Sequence, residues 1–267
     1  CAIMAEGGRV MCWGANTQGQ AETSDTLFVV TPSLVDDDQV KAITDLAVND
    51  THVIALTAQG HVMGWGSNKK GQLGAAAPLA DKSPPVQVMT EIKQIAAGRS
   101  HSCGLTGAGD VLCVGDNTDG RLGVGEDVDS PVTVPTQVKS LLSNNRYLAA
   151  GYAHTCVALA NGQVACWGVG TYGQVGQNPD NLSNQTAAKP ALVQGLNDVT
   201  TLSLGHQHGC ARDAYGGIHC WGKNTNGELG IGEGPQFSYE PKKTEAANAV
   251  AVDTHHQRTC SLAGSGQ

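Results

Sequence analysis

The apolar residues of this chain of 267 residues occur in short runs that are separated by polar, glycine-rich turns. Between Gly151 and Gly176, a run around Val157 and a run around Val164 flank the turn Ala160-Asn161-Gly162. Two short apolar runs joined by three residues that include a glycine predict a β-hairpin. No segment has the spacing of a long amphipathic helix, so the pattern predicts an all-β protein.

The hairpin pattern recurs with a period near fifty residues, and a tryptophan-glycine pair marks the end of its second run. The pairs are Trp13-Gly14, Trp65-Gly66, Trp167-Gly168 and Trp221-Gly222, and Val114-Gly115 holds the same place once. Successive positions are 52, 49, 53 and 54 residues apart. Several short strands in a repeat of this length are typical of a β-propeller, in which four-stranded antiparallel blades stack because one blade cannot bury both of its faces.

We interpret residues 1–267 as a single repeat domain of this kind. The chain contains five hairpins and begins a sixth at Arg258-Thr259-Cys260, or about five and a half repeats. Both ends fall within a repeat and no leader sequence is visible, as in a mature or trimmed piece of a longer protein. We expect six to seven blades in the full ring.

Eight of the nine cysteines form four pairs at one level of the hairpin. They are Cys1 and Cys12, Cys103 and Cys113, Cys156 and Cys166, and Cys210 and Cys220. Counting outward from the turn places each pair at facing positions that are not hydrogen-bonded, where Cα atoms about 4.5 Å apart suit a disulfide.

The remaining complete hairpin has Ile54 and Gly64 at these positions, so the two cysteines occur together or not at all. We therefore predict four disulfides, which favours an oxidising compartment. Buried thiols are the alternative, and zinc is less favoured because no Cys-x-x-Cys motif exists. Cys260 is expected to be unpaired, because its partner position falls beyond Gln267.

Four histidines, at positions His52, His101, His154 and His208, recur at one place in the repeat. Catalytic histidines do not usually occur in copies, so we interpret these as structural residues that hydrogen-bond between blades. The less favoured alternative is that the four imidazoles converge in the central channel and bind metal together. His206 and the pair His255-His256 lack a matched carboxylate in the sequence and are expected to be ordinary surface or core residues.

With these repeated features, the chain resembles the regulator of chromosome condensation repeat family. The resemblance lies in His-x-Cys, as in His154-Thr155-Cys156, in Trp-Gly, and in turns such as Gly71-Gln72-Leu73-Gly74. It implies a β-propeller, typically with seven blades of four antiparallel strands. The best-known members are nuclear exchange factors for a small GTPase, and the fold also serves unrelated binding roles. No catalytic residue can be carried over to this chain.

Composition and motifs exclude several classes of function. The formal net charge is -8 and no run of Lys or Arg occurs, which argues against nucleic acid and anionic membranes as partners. No apolar stretch approaches the length of a membrane-spanning helix. The acidic segments 36–38 and 116–120 lack the spacing of a calcium loop, and no nucleophile elbow is present. We predict no catalytic residue, no metal site and no cofactor.

These observations favour an extracytoplasmic, non-catalytic module that binds another protein through rim loops, in an extracellular, periplasmic or cell-surface location. We expect the contacts in the segments that differ most between repeats, which are 23–38, 75–85, 126–135, 177–190 and 233–241. A guanine-nucleotide exchange factor for a small GTPase is one alternative. A glycan-active enzyme or lectin on a propeller scaffold is the other.

Overall fold

The computed structural model describes residues 1–21, 26–35, 38–125, 128–141, 144–182 and 185–264. These residues form twenty-one strands in six antiparallel sheets, together with one short 3₁₀ helix, Pro179–Asn181. None of the helical residues described forms a segment long and apolar enough to cross a bilayer. The chain divides into two compact units.

The first unit comprises Cys1–Gly107, Val111–Asn117 and Val128–Gln137 and contains three sheets. The first sheet has the strands β1 (Ala2–Ile3), β2 (Val10–Ala15) and β3 (Phe28–Leu34). The second has β4 (Ile43–Val48), β5 (His52–Thr57), β6 (Val62–Gly66) and β7 (Ser83–Met89). The third has β8 (Ile92–Ala97), β9 (His101–Thr106), β10 (Val111–Gly115) and β11 (Val132–Gln137).

The second unit comprises Ala108–Asp110, Thr118–Asp127 and Val138–Gln267 and also contains three sheets. The fourth sheet has β12 (Tyr147–Ala150), β13 (His154–Ala158), β14 (Val164–Val169) and β15 (Thr186–Leu192). The fifth has β16 (Val199–Leu204), β17 (His208–Asp213), β18 (Ile218–Lys223) and β19 (Phe237–Lys243). The sixth has β20 (Ala249–His255) and β21 (Arg258–Ala263).

Strands pair in sequence order within each sheet, which is the order of a propeller blade. Four of the five predicted hairpins are the second and third strands of the complete, four-stranded sheets. The fifth is β1 and β2 of the first sheet, so β3 holds the place of the fourth strand there. The register of the hairpins agrees with the count from the turn: Cys156 lies opposite Cys166, and Ile54 lies opposite Gly64. The sixth sheet contains the first two strands of a blade, in agreement with a sixth hairpin that begins at Arg258.

The prediction that the contact segments are loops was wrong in one respect. The fourth strand of each complete sheet begins inside such a segment. Prolines made these segments resemble loops, yet each of β3, β7, β11, β15 and β19 contains at least one, including Pro32, Pro84, Pro135, Pro190 and Pro241. Each of these strands is the last of its sheet. Proline lacks an N–H donor, and an edge strand tolerates that loss because one side of its backbone has no partner strand.

The core of each unit lies between neighbouring sheets. In the first unit Ile54 and Leu73 belong to one cluster with Ile95 of the next sheet. In the second unit Cys166 and Val175 belong to one cluster that includes Trp221 of the next sheet. Each sheet therefore depends on its neighbour to bury its apolar face, as the repeat predicts.

The polar turn after each third strand is held by its own side chains. The Asn68 Oδ1 accepts a hydrogen bond from the Leu73 N–H at 2.8 Å, and the Gln72 Oε1 accepts one from the Lys70 N–H at 2.9 Å. These bonds fix the turn so that the Leu73 side chain is fully buried. In the corresponding turn of the fifth sheet, Asn224 bonds the Leu229 N–H at 3.1 Å.

The glycine of the tryptophan-glycine pair lies at a bulge in the third strand. Between Cys166 and Gly168 the pairing with β15 shifts register, and Gly168 has φ of 103°. A Cβ atom at this position would lie 2.4 Å from the Ala153 carbonyl oxygen. The equivalent residues Gly14, Gly66, Gly115 and Gly222 also have positive φ. Backbone conformation therefore favours glycine in all five repeats, whereas close approach of a backbone oxygen excludes a Cβ atom in the later four but not at Gly14, which has no atom within 4 Å of that position.

Candidate protein-interaction surface

The four recurring histidines begin the second strand of their sheets and are buried: His52, His101, His154 and His208 are at most 1% exposed. Burial lowers the pKa of His52 to about 4, of His154 to about 3 and of His208 to about 4. These three imidazoles are therefore neutral near pH 7, because burial penalises the charged form.

His52 and His208 each bond a hydroxyl group of the next sheet. His52 Nε2 lies 2.9 Å from Ser102 Oγ, and His208 Nε2 lies 3.0 Å from Thr259 Oγ1. Ser102 directly follows His101, and Thr259 directly follows Arg258, which holds the histidine position in the sixth sheet. At His154 the equivalent residue of the next sheet is Gly209, which has no side chain to offer. The contacts of His52 and His208 join neighbouring sheets, whereas neither ring nitrogen of His154 has a hydrogen-bond partner among the described residues.

Hydroxyl groups at this position of the sheet, including Thr155 of the fourth sheet, satisfy a backbone carbonyl in the polar turn of the preceding sheet. Ser102 donates to Gln72 O at 2.8 Å. Thr155 donates to Arg121 O at 3.0 Å and Thr259 to Glu228 O at 2.7 Å. The polar turn of one sheet is thereby attached to the second strand of the next.

Where the hydroxyl is missing, the tryptophan of that sheet donates instead. Val53 and Gly209 stand in the hydroxyl position of the second and fifth sheets. In these sheets Trp65 Nε1 donates to Gln20 O at 3.1 Å, and Trp221 Nε1 donates to Gln174 O at 3.0 Å. The serine or threonine hydroxyl and the tryptophan indole N–H are thus alternative donors to the same carbonyl position in the turn of the preceding sheet. The repeated tryptophans serve packing between sheets, and in these two sheets also this hydrogen bond.

The first tryptophan differs from the others in its surroundings. Trp13 is 47% exposed, whereas Trp65, Trp167 and Trp221 are at most 1% exposed. Trp13 lies on β2 of the first sheet, and no sheet comes before this one in chain order among the residues that the structure describes.

The structure contains the four predicted disulfides. The Cα atoms are 3.9 Å apart in Cys1–Cys12, 4.2 Å in Cys103–Cys113, and 4.1 Å in both Cys156–Cys166 and Cys210–Cys220. Where cysteines are missing, the Ile54 side chain fills the space, and a Cβ atom on Gly64 would lie 2.7 Å from Val88 Cγ2. Cys260 on β21 is exposed and forms no disulfide with the described cysteines.

Acidic residues of the segment 116–120 that was considered for calcium bond protein side chains. Asp116 Oδ1 accepts a hydrogen bond from Ser130 Oγ at 3.0 Å, and Asp119 forms an ion pair with Arg121. Asp36 and Asp37 lie outside the described residues, as do residues 23–25, 126, 127, 183 and 184 of the predicted contact segments.

The fourth strands display apolar side chains to solvent. On β3, Phe28 is 66% and Val30 is 89% exposed. Exposed apolar residues recur on three of the other fourth strands, at Val134 of β11, Leu192 of β15 and Phe237 of β19, whereas β7 has no large exposed hydrophobic residue. These strands also differ more between repeats than the hairpins do, so they combine variability with the aromatic and aliphatic character of protein interfaces.

A second exposed feature is a cluster in the second unit, formed by Tyr152, His206, His255 and His256, which we call the histidine turn cluster. Tyr152 and His206 belong to the turns that join the first and second strands of the fourth and fifth sheets. The ring centroids of Tyr152 and His206 are 4.8 Å apart, those of His206 and His256 are 4.1 Å apart, and those of His255 and His256 are 4.4 Å apart. A pocket of about 490 Å³ is lined by His206, His255, His256, Gln257 and Arg258.

Sequence reasoning did not find the histidine turn cluster. His206 and His256 are fifty residues apart, and each belongs to a short motif that has no meaning by itself. The available signal was their position in the repeat. His206 lies two residues before His208, and His256 lies two residues before Arg258, which holds the corresponding position in the sixth sheet. Equivalent positions of stacked sheets lie side by side.

The paired strands, the stacked neighbouring sheets and the repeated contacts between them define a repeat protein of the β-propeller class. A family model described as RCC1-like domain matches residues 1–267, and the chain belongs to this family. The resemblance inferred from the Trp-Gly and His-x-Cys patterns is therefore confirmed.

Individual relatives are similar at moderate identity. The chain is 28% identical over 264 residues to the ultraviolet-B receptor UVR8 of Arabidopsis thaliana, covering 96% of this chain and 58% of that protein. It is 29% identical over 231 residues to protein pim1 of Schizosaccharomyces pombe, covering 79% of this chain and 43% of that protein. The chain therefore spans about half the length of these relatives.

Solved structures support the fold. Prp20p of Saccharomyces cerevisiae, which was studied with its binding to Gsp1p and histones, superposes with a TM-score of 0.83 at 23% identity. The match covers 95% of this chain and 64% of Prp20p. Human WBSCR16 superposes with a TM-score of 0.79 at 22% identity, covering 93% of this chain and 65% of that one. At this identity the likeness applies to the fold alone.

Proposed function

We propose that this chain is a non-catalytic module that binds another protein and works outside the cytoplasm. The observation that carries the proposal is a division within each complete repeat. The hairpins are nearly alike, and most are cross-linked, whereas the fourth strands and the segments before them vary and expose apolar side chains. A rigid scaffold that presents variable surface loses little ordering entropy when it binds.

Relatives of the family provide further support for a binding role. UVR8 is named as a receptor, and Prp20p is described by its binding to Gsp1p and histones. These partners are properties of those proteins. For this chain they support only the broader inference that a protein is the ligand, and the variable fourth strands are where we expect recognition of a different partner.

The cysteines support the proposed location. Four disulfides at one register persist in oxidising compartments and are rare where thioredoxin and glutathione keep thiols reduced. A nuclear exchange factor would be expected to keep these thiols reduced, so the redox state separates the two interpretations.

Alkylation of the protein from its native source is expected to modify one thiol, that of Cys260, when the protein is denatured without reductant. After denaturation and reduction, all nine cysteines are expected to react. The intact mass of the alkylated protein, without and with prior reduction, gives the number of modified thiols in each case. Reaction of all nine thiols without reductant would contradict the extracytoplasmic assignment.

The binding surface is tested by replacing exposed apolar residues of a fourth strand. Phe28→Ser together with Val30→Ser is expected to reduce affinity for the physiological partner at least tenfold, because exposed aromatic residues supply much of the energy of an interface. Tyr215→Ser is the matched control, since Tyr215 is 83% exposed but lies in a hairpin turn.

The measurement is recovery of crosslinked partners from the extracellular fraction of the source, followed by titration of the purified partner. Unchanged affinity in the Phe28/Val30 variant and in matching variants at Val134 and Phe237 would exclude the fourth strands as the contact surface. Loss in the Tyr215 variant alone would place the contact at the hairpin turns.

A further inference from the structure

We propose that His206 and His256 form a binding site for a divalent late transition-metal ion such as Zn²⁺. This inference is independent of the proposed binding function, and it departs from the sequence-based expectation of no metal site. The site lies in the second unit, at the histidine turn cluster.

The backbone brings the two histidines together and holds them there. The His206 N–H donates a hydrogen bond to the His256 carbonyl oxygen at 2.8 Å. Just before these turns, Ser203 Oγ and Thr254 Oγ1 are 2.9 Å apart, and the Thr254 N–H donates to Ser203 Oγ at 2.9 Å. The two turns are therefore fixed to each other by three bonds between β16 and β20 or their ends.

The imidazole rings are close enough to share one ion. Their centroids are 4.1 Å apart with an interplanar angle of 45°, and a ring nitrogen of each residue lies within 4.8 Å of the other. Two nitrogens on one Zn²⁺ ion, each about 2.0–2.1 Å from the metal, lie roughly 3.3 Å apart in tetrahedral geometry. A small rotation of either side chain provides this distance, because both histidines have exposed surface.

The surroundings hold both imidazole rings in place for metal binding. Tyr152 packs edge-on against His206, and His255 packs against His256, so both rings are supported in place. Imidazole nitrogen suits Zn²⁺, Cu²⁺ and Ni²⁺ better than Ca²⁺ or Mg²⁺, which prefer oxygen. The pocket of about 490 Å³ leaves room for further ligands, and Arg258 in its wall favours an anionic one, such as a carboxylate.

The site is tested by calorimetric titration of the purified protein with ZnCl₂. Every variant also carries Cys260→Ser, because an exposed thiol is itself a zinc ligand. His206→Ala and His256→Ala are each expected to weaken Zn²⁺ binding at least tenfold. His61→Ala is the matched control, since His61 is exposed and lies outside the cluster, and it is expected to change affinity less than twofold.

A second measurement separates binding at this site from loss of structure. Zn²⁺ is expected to raise Tm of the parent protein by linkage and to leave Tm of the two cluster variants unchanged. CaCl₂ at the same concentration is expected to have no effect on any of them. The proposal is overturned if the parent shows no saturable Zn²⁺ binding, or if both cluster variants bind Zn²⁺ as the parent does.

Discussion

Replacing Gly168 by alanine is expected to destabilise the protein by roughly 3–5 kcal/mol, the sum of backbone strain and overpacking. The residue has φ of 103°, which an L side chain rarely adopts, and a Cβ atom would lie 2.4 Å from the Ala153 oxygen and 2.8 Å from the His154 Cα. Neither neighbour is a flexible side chain that could move aside. The free energy of unfolding in urea measures the loss.

Gly195→Ala separates the two causes. Gly195 has φ of 82°, and no atom lies within 4 Å of its ideal Cβ position, so only backbone strain of about 1–2 kcal/mol is expected. If Gly168→Ala costs no more than Gly195→Ala, close approach of the backbone is not the reason for the tryptophan-glycine pair.

Acidification from pH 7 to pH 5 is expected to destabilise the protein by about 4 kcal/mol through His52 and His154 together, or about 2 kcal/mol each by proton linkage. Burial lowers the pKa of His52 to about 4 and of His154 to about 3. The unfolded chain therefore takes up these protons near pH 6.5, whereas the folded protein does not. The contribution of these two groups to the free energy of unfolding is constant above pH 6.5. It decreases as the pH falls from 6.5 to the folded pKa values.

Urea unfolding at several pH values measures this loss, and His154→Gln provides the control. The substitution removes one group that titrates, so the difference in stability between pH 7 and pH 5 is expected to shrink by about 2 kcal/mol. Direct observation by NMR is independent of that variant: the His52 and His154 rings are expected to stay neutral at pH 5 in the folded protein. Protonated rings at that pH would contradict the burial argument.

The sequence predicts the hairpins and their register well because both depend on local chemistry. The turn Ala160-Asn161-Gly162 fixes the loop length, and once that length is known, Cys156 must face Cys166. Recurrence supplied what a single copy could not. The histidine at position 154 is uninformative alone, but four copies at one position indicate a structural role.

The remaining features depend on contacts between repeats or on edges of sheets, which no local pattern encodes. Pro190 looked like part of a loop, yet it lies in β15, where the outer side of the strand needs no N–H donor. His206 and His256 meet only because β16 packs beside β20. The choice between a hydroxyl and an indole as donor also involves three positions from two repeats.

The interchange of donors at the turn carbonyl changes which residues mark a repeat. A repeat with serine or threonine after its histidine position does not need the indole nitrogen for this bond, and the third sheet, with Ser102, has Val114 in place of the tryptophan. Search patterns that rely on the tryptophan alone will therefore overlook genuine copies, and a pattern that accepts either donor will recover them.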